Sequence, residues 1–108
     1  MREELSRLAE IAPGAAIVTA YHRIEDRLVE MLDSPGVPSY RGVNGRTLAG
    51  VARQRGLISG ETVAAIEGLS VLRDLSAHTG DNTSTDRARD YLVLADAVLY
   101  ALRSKPPS

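Results

Sequence analysis

The chain has 108 residues, enough for one compact domain and too few for two, and its 44% hydrophobic and 25% charged residues exclude a mostly disordered protein. It contains no cysteine, which excludes a disulfide framework, a thiolate metal site and cysteine nucleophilic catalysis. No apolar run approaches the roughly 20 residues of a membrane helix, and the net charge of -1 hides a basic middle, where Tyr40 to Gly60 holds Arg41, Arg46, Arg53 and Arg55 without an acid.

Residues 1–12 read as a lead-in helix or linker, with Leu5, Leu8 and Ile11 at helical spacing. Pro13 suits the first turn of a long helix whose buried face is Ile17, Ala20, Tyr21, Ile24, Leu28, Met31 and Leu32. His22 falls beside that stripe, where a partly exposed, hydrogen-bonded histidine is expected. "SPGVPSYRGVNG" cannot continue a helix and reads as a loop. Thr47 is the expected cap of a short connector helix that buries Leu48, Val51 and Ala52 and stops at Gly56, with Leu57 and Ile58 packing back on its end.

Ser59 is the expected N-cap of the next helix, whose apolar face is read as Val63, Ile66, Leu69, Leu72 and Leu75, with Gly80 ending it. "GDNTST" offers a turn and caps for a final helix that buries Ala88, Tyr91, Leu92, Ala95, Val98, Leu99 and Leu102. Residues 104–108 read as a disordered tail after a helical domain over 13–103. With four tyrosines as the only aromatics, Leu, Val, Ile and Ala fill the core. The expected architecture is all-α: a small antiparallel bundle of two long helices, a third helix that carries Arg73 and His78, and the short connector.

His22 and His78 are the only histidines and neither has a metal-binding spacing, so no metal or other cofactor is expected. Ser76, His78 and Asp81 lack a nucleophile elbow, and the scattered glycines form no phosphate-binding loop. What remains is "RDLSAH". Arg73 is a permanently charged fork suited to phosphate, and His78 exchanges protons near neutral pH. Those two abilities are what RNA-backbone transesterification requires. Five residues turn side chains about 140° apart on a straight helix. The pair therefore needs the helix to loosen near Ala77 or a second copy across a twofold axis. A plain structural reading stands beside this one: His78 at a helix end favoured by the dipole, and Arg73 paired with an acid on a neighbouring helix.

Arg73, Asp74 and His78, followed by a turn and a long amphipathic helix, resemble the motif of the HEPN superfamily (higher eukaryotes and prokaryotes nucleotide-binding). "TLAGVARQRGLISGETVAAIEGLSVLRDLSAH" resembles its bacterial branch related to the domain of unknown function DUF4145. With "PGAAIVTAYHRIEDRLVEML" the resemblance runs from Pro13 to Leu102. It implies a helical bundle that dimerises and places two motifs in a shared cleft. It also implies a metal-independent endoribonuclease of the toxin, phage-defence or RNA-processing kind, with His78 transferring protons, Arg73 stabilising phosphate and Asp74, where asparagine is common, orienting them. Tyr40, Arg41, Arg46, Arg53 and Arg55 are candidates for holding the RNA backbone.

Other members of the family are regulatory modules, so the alternative expectation is a non-catalytic dimerisation or partner-binding domain meeting a protein partner such as an antitoxin. The scarcity of aromatics to stack bases favours that alternative. A cytoplasmic location is expected. "LSRLAEIAPGAAI" resembles the lead-in to such a domain in a larger protein, so a piece of a membrane-anchored parent is a further expectation.

Overall fold

A computed structural model describes the backbone of residues 2–79 and 83–103 and, within those spans, every side chain except those at positions 2, 78 and 79. Gly80 as a helix stop and 104–108 as a tail lie outside the described residues. Five helices follow one another: α1 (Arg2–Ile11), α2 (Pro13–Leu32), α3 (Gly45–Gln54), α4 (Gly60–Thr79) and α5 (Thr85–Arg103).

The lead-in is a separate helix because Pro13 forces a break. A residue before proline is pushed out of the α region, and Ala12 accordingly sits at φ -145, ψ 80 with Pro13 opening α2. Leu5 and Ala9 of α1 are buried, whereas Ile11, read as part of its apolar face, is 83% exposed. Glu10 Oε1 accepts from Arg89 at 2.6 Å and ties α1 to α5.

α2 is the central element, in contact with each of the other four helices. Its interior face, Ile17, Ala20, Tyr21, Ile24, Leu28 and Leu32, is almost fully buried, as the spacing predicts, and Met31 is partly buried. Every expected core residue of α5 is buried, and α5 packs on α1, α2 and α4. Arginines close two helix ends: Arg55 donates to the Leu32 carbonyl (3.2 Å) and Arg27 to that of Leu102 (3.1 Å). Each satisfies a carbonyl that has no partner within its helix.

α3 begins earlier than expected. Asn44, not Thr47, is its cap: the Asn44 Oδ1 accepts from the Thr47 amide at 2.9 Å. Its end is as read, with Gly56 at φ 73, the Leu57 amide returning to the Ala52 carbonyl (2.9 Å) and Ile58 buried. Ser59 caps α4 by accepting from the Thr62 amide (3.1 Å), and Ser84 does the same for α5 through the Arg87 amide (3.0 Å).

The apolar face of α4 differs from the expected one. Ile66 and Leu69 are buried and Val63 is partly so, but Leu72 is 40% and Leu75 54% exposed. A run of i+3 steps precesses by about 60° per step around a helix, so five such positions cannot share one face. Ser70 and Ser76 turn inward instead.

Candidate functional site

The inward face of α4 meets α2 and α3 at a polar hub built on Tyr21. That side chain is only 1% exposed, and its hydroxyl interacts with the Ser70 hydroxyl. Ser70 also receives the Arg46 Nε at 3.2 Å from α3. One turn along α4, the guanidinium carbon of Arg73 lies 4.5 Å from the Tyr21 ring centroid, a cation–π contact. Gly45 is what lets α3 come this close. A Cβ there would overlap the Tyr21 hydroxyl and lie 2.8 Å from the ring carbon Cζ. From α5, the Tyr91 hydroxyl donates to the Leu69 carbonyl at 2.9 Å, fixing the turn of α4 that precedes Arg73.

Arg73 pairs with its neighbour Asp74 rather than with an acid on another helix. Its Nη2 and Nε both donate to Asp74 Oδ1, at 2.7 and 3.2 Å. The hydrogen bond that Arg73 donates to Asp74 is the main cause that holds the guanidinium above its ordinary pKa, against a smaller opposing effect of burial. This contact changes the geometry of the motif. α4 is helical through Ala77 and position 78, so it does not loosen there. Positions 73 and 78 therefore diverge by about 140°. The long Arg73 side chain, however, reaches round to Asp74, and position 78 is four residues beyond Asp74, only about 40° from it. Asp74 thus lies between the directions of positions 73 and 78 on the helix.

Position 78 shares a second stripe. Val71, Leu75 and position 78 are spaced i, i+4 and i+7, which is one face of a helix, and Val71 and Leu75 are 46% and 54% exposed. Around the edge of that face, Ala65, Gly68, Leu72, Leu94, Ala97 and Val98 line an open apolar groove between α4 and α5.

The basic stretch divides. Arg55 is committed to the fold through Leu32 and through Tyr40, whose hydroxyl accepts from it at 2.7 Å and whose ring lies 5.4 Å away. Arg53 donates to the Ile58 carbonyl (3.5 Å). Arg41 is exposed in the loop, and only Arg46 reaches the surroundings of Arg73. Sequence reading missed Ser70 and the platform role of Tyr21. A serine among the apolar residues of α4 was the available signal. His22 is exposed and bonded to Glu25 Oε1 at 3.0 Å, as its position beside the stripe suggests. Among the described residues no three His, Asp or Glu side chains gather where they could hold a metal, and no helix is long and apolar enough to cross a membrane.

Burial raises the pKa of both Tyr21 and Tyr91 above the ordinary 10.0. A phenol with a raised folded-state pKa binds its proton more tightly in the native state. Its stabilisation is complete below pH 10 and is lost as pH climbs above it. Denaturant unfolding between pH 8 and 11 should therefore show stability falling on the alkaline side, with Tyr91→Phe flattening the fall.

Comparison of the chain with protein-family models, with curated proteins and with solved structures finds no match.

Proposed function

We propose that this chain is a HEPN-like helical domain that forms a homodimer and cleaves RNA without a metal ion. His78 takes the proton of a ribose 2'-hydroxyl. The freed oxygen bonds to the adjacent phosphorus, the bond from phosphorus to the 5'-oxygen breaks, and a proton is returned to that leaving oxygen. Arg73 balances the negative charge that accumulates on the phosphoryl oxygens, and Asp74 holds Arg73 in place. The products are a 2',3'-cyclic phosphate and a 5'-hydroxyl.

One observation carries this reading: an exposed apolar stripe, Val71 and Leu75, on the face of α4 that continues to position 78, beside an arginine already held against Asp74. A second copy covering that stripe would bring two motifs together and exclude water from both. The groove between α4 and α5 supports the other reading, a non-catalytic module that receives an apolar helix of a protein partner.

Sedimentation and cleavage assays in EDTA separate the two. Leu75→Asp puts a charge into the proposed interface. An uncompensated buried carboxylate costs several kcal/mol, so association should weaken by about 10²-fold or more. RNA cleavage should fall with it. A wild-type protein that dimerises but cuts no RNA would favour the module. One that cuts RNA as a monomer would remove the dimer from the proposal.

A further inference from the structure

We infer that Arg46 of α3 joins Arg73 in a two-arginine clamp for a phosphate of the RNA strand, with Ser70 and Tyr21 as the positioning residues that bring them together. This rests on the ribonuclease reading for its ligand, but concerns binding rather than cleavage.

Charge makes the second arginine necessary. Arg73 is paired with Asp74 through two of its nitrogens, so the pair is neutral as a unit and offers a phosphate little net attraction. Glu25, which interacts electrostatically with both Arg73 and Tyr21, adds no positive charge. Arg46 supplies what is lacking. It is exposed and has no carboxylate partner among the described residues. Its Nε is tethered to Ser70 at 3.2 Å, which orients the guanidinium and leaves the two terminal nitrogens to donate.

Geometry supplies the convergence. Ser70 and Arg73 are three residues apart on the same face of α4, separated by about 4.5 Å of helix rise. The Tyr21 ring spans them, its hydroxyl toward Ser70 and its face under Arg73. Both arginines act electrostatically on that one hydroxyl. Arg53 donates to the Ile58 carbonyl and Arg55 to the Leu32 carbonyl and Tyr40, which sets them apart from Arg46, tethered to Ser70, although all three lie in one basic stretch.

The test uses the full chain and a short single-stranded RNA whose 2'-hydroxyls are methylated, so that it binds without being cut. Its affinity is read by fluorescence anisotropy across a potassium chloride series. Arg46→Gln should weaken binding about tenfold and reduce the magnitude of the log–log salt slope by about 0.7, the loss of one phosphate contact on a single strand. Arg46→Lys should restore most of the slope, because charge is kept while the Ser70 tether is lost. Ser70→Ala should weaken binding about threefold with little change in slope, a result that distinguishes positioning from charge. Unchanged affinity and slope in Arg46→Gln, with both reduced in Arg73→Gln, would overturn the clamp and leave the cleavage reading intact. Failure of the wild type to bind the RNA would also overturn it. Normal binding behaviour with no cut of unmethylated RNA would sink the cleavage reading while the clamp stands. Helical circular dichroism and thermal unfolding of each variant keep a folding defect from being read as lost binding. If Arg46→Gln does not fold, Arg46→Lys and Ser70→Ala decide the outcome.

Discussion

Replacing His78 by alanine is expected to slow RNA cleavage by about 10²–10⁴-fold, the range contributed by a positioned proton-transfer group. Arg73→Ala should cost about 10²–10³-fold, comparable with removal of a donor aimed at developing negative charge. Because the two act on one transition state, the double variant should be only slightly slower than the worse single one. Gel analysis of labelled RNA in EDTA checks all three. Cleavage that continues at the wild-type rate in both single variants would remove this pair from the chemistry. Asp74→Asn provides the sharper readout. It retains an oxygen for Arg73 to bond while removing the negative charge, so RNA affinity should rise even if turnover falls.

The largest expected effect on stability is at Tyr21. Its ring is buried beneath Arg73, its hydroxyl interacts with Ser70, and α3 closes over it at Gly45. Tyr21→Ala removes most of a large buried side chain from the place where α2, α3 and α4 meet, for a loss of about 3–5 kcal/mol. Urea unfolding measures it. Gly45→Ala tests the same contact from the other side. Alanine favours a helix over glycine by about 1 kcal/mol. The new methyl group, however, must displace an aromatic ring rather than the tip of a flexible chain. Overpacking of that kind costs about 1–3 kcal/mol, so a net destabilisation is expected. A Gly45→Ala protein more stable than the wild type would show that the two helices separate there at little cost. Tyr21→Phe should retain most of the packing and lose only the interaction with Ser70.

The helices themselves were legible because their signals are local. The buried stripes of α2 and α5 repeat at three- and four-residue steps that alternate, which holds them on one face, and their burial follows. The serine before α4 caps the amide three residues ahead, as its type and place suggest. α4 was misread where that alternation fails. Val63 through Leu75 advance by three each time, so the stripe winds off the core and leaves Leu72 and Leu75 in the open. At α3 the expected cap, Thr47, lies three residues too late, because the Asn44 side chain already reaches the Thr47 amide.

The candidate site was legible only in part. Arg73, Asp74 and His78 stand together in sequence, and their spacing suggested that one helix could not join Arg73 to His78. Spacing treats residues only as directions from the helix axis, whereas an arginine side chain also has reach, and that of Arg73 lies against Asp74. Nor could local sequence show that Arg46 and Ser70, 24 residues apart, would meet. That contact depends on α3 packing on α2 at Gly45, a tertiary event with no local signature.

The bond from Tyr91 to the Leu69 carbonyl has a consequence for how α4 tolerates change. In a regular helix that carbonyl also accepts from the amide of Arg73, four residues on. α5 therefore grips the Leu69–Ser70 peptide unit, one turn before the arginine, while Arg46 grips the Ser70 side chain from α3. Between these two anchors α4 is locked in phase as well as in place. Substitutions on its outer surface leave that phase untouched. Deleting or inserting a single residue between Leu69 and Arg73 would turn everything beyond by about 100°, carrying the arginine off its aromatic seat with every side chain still present.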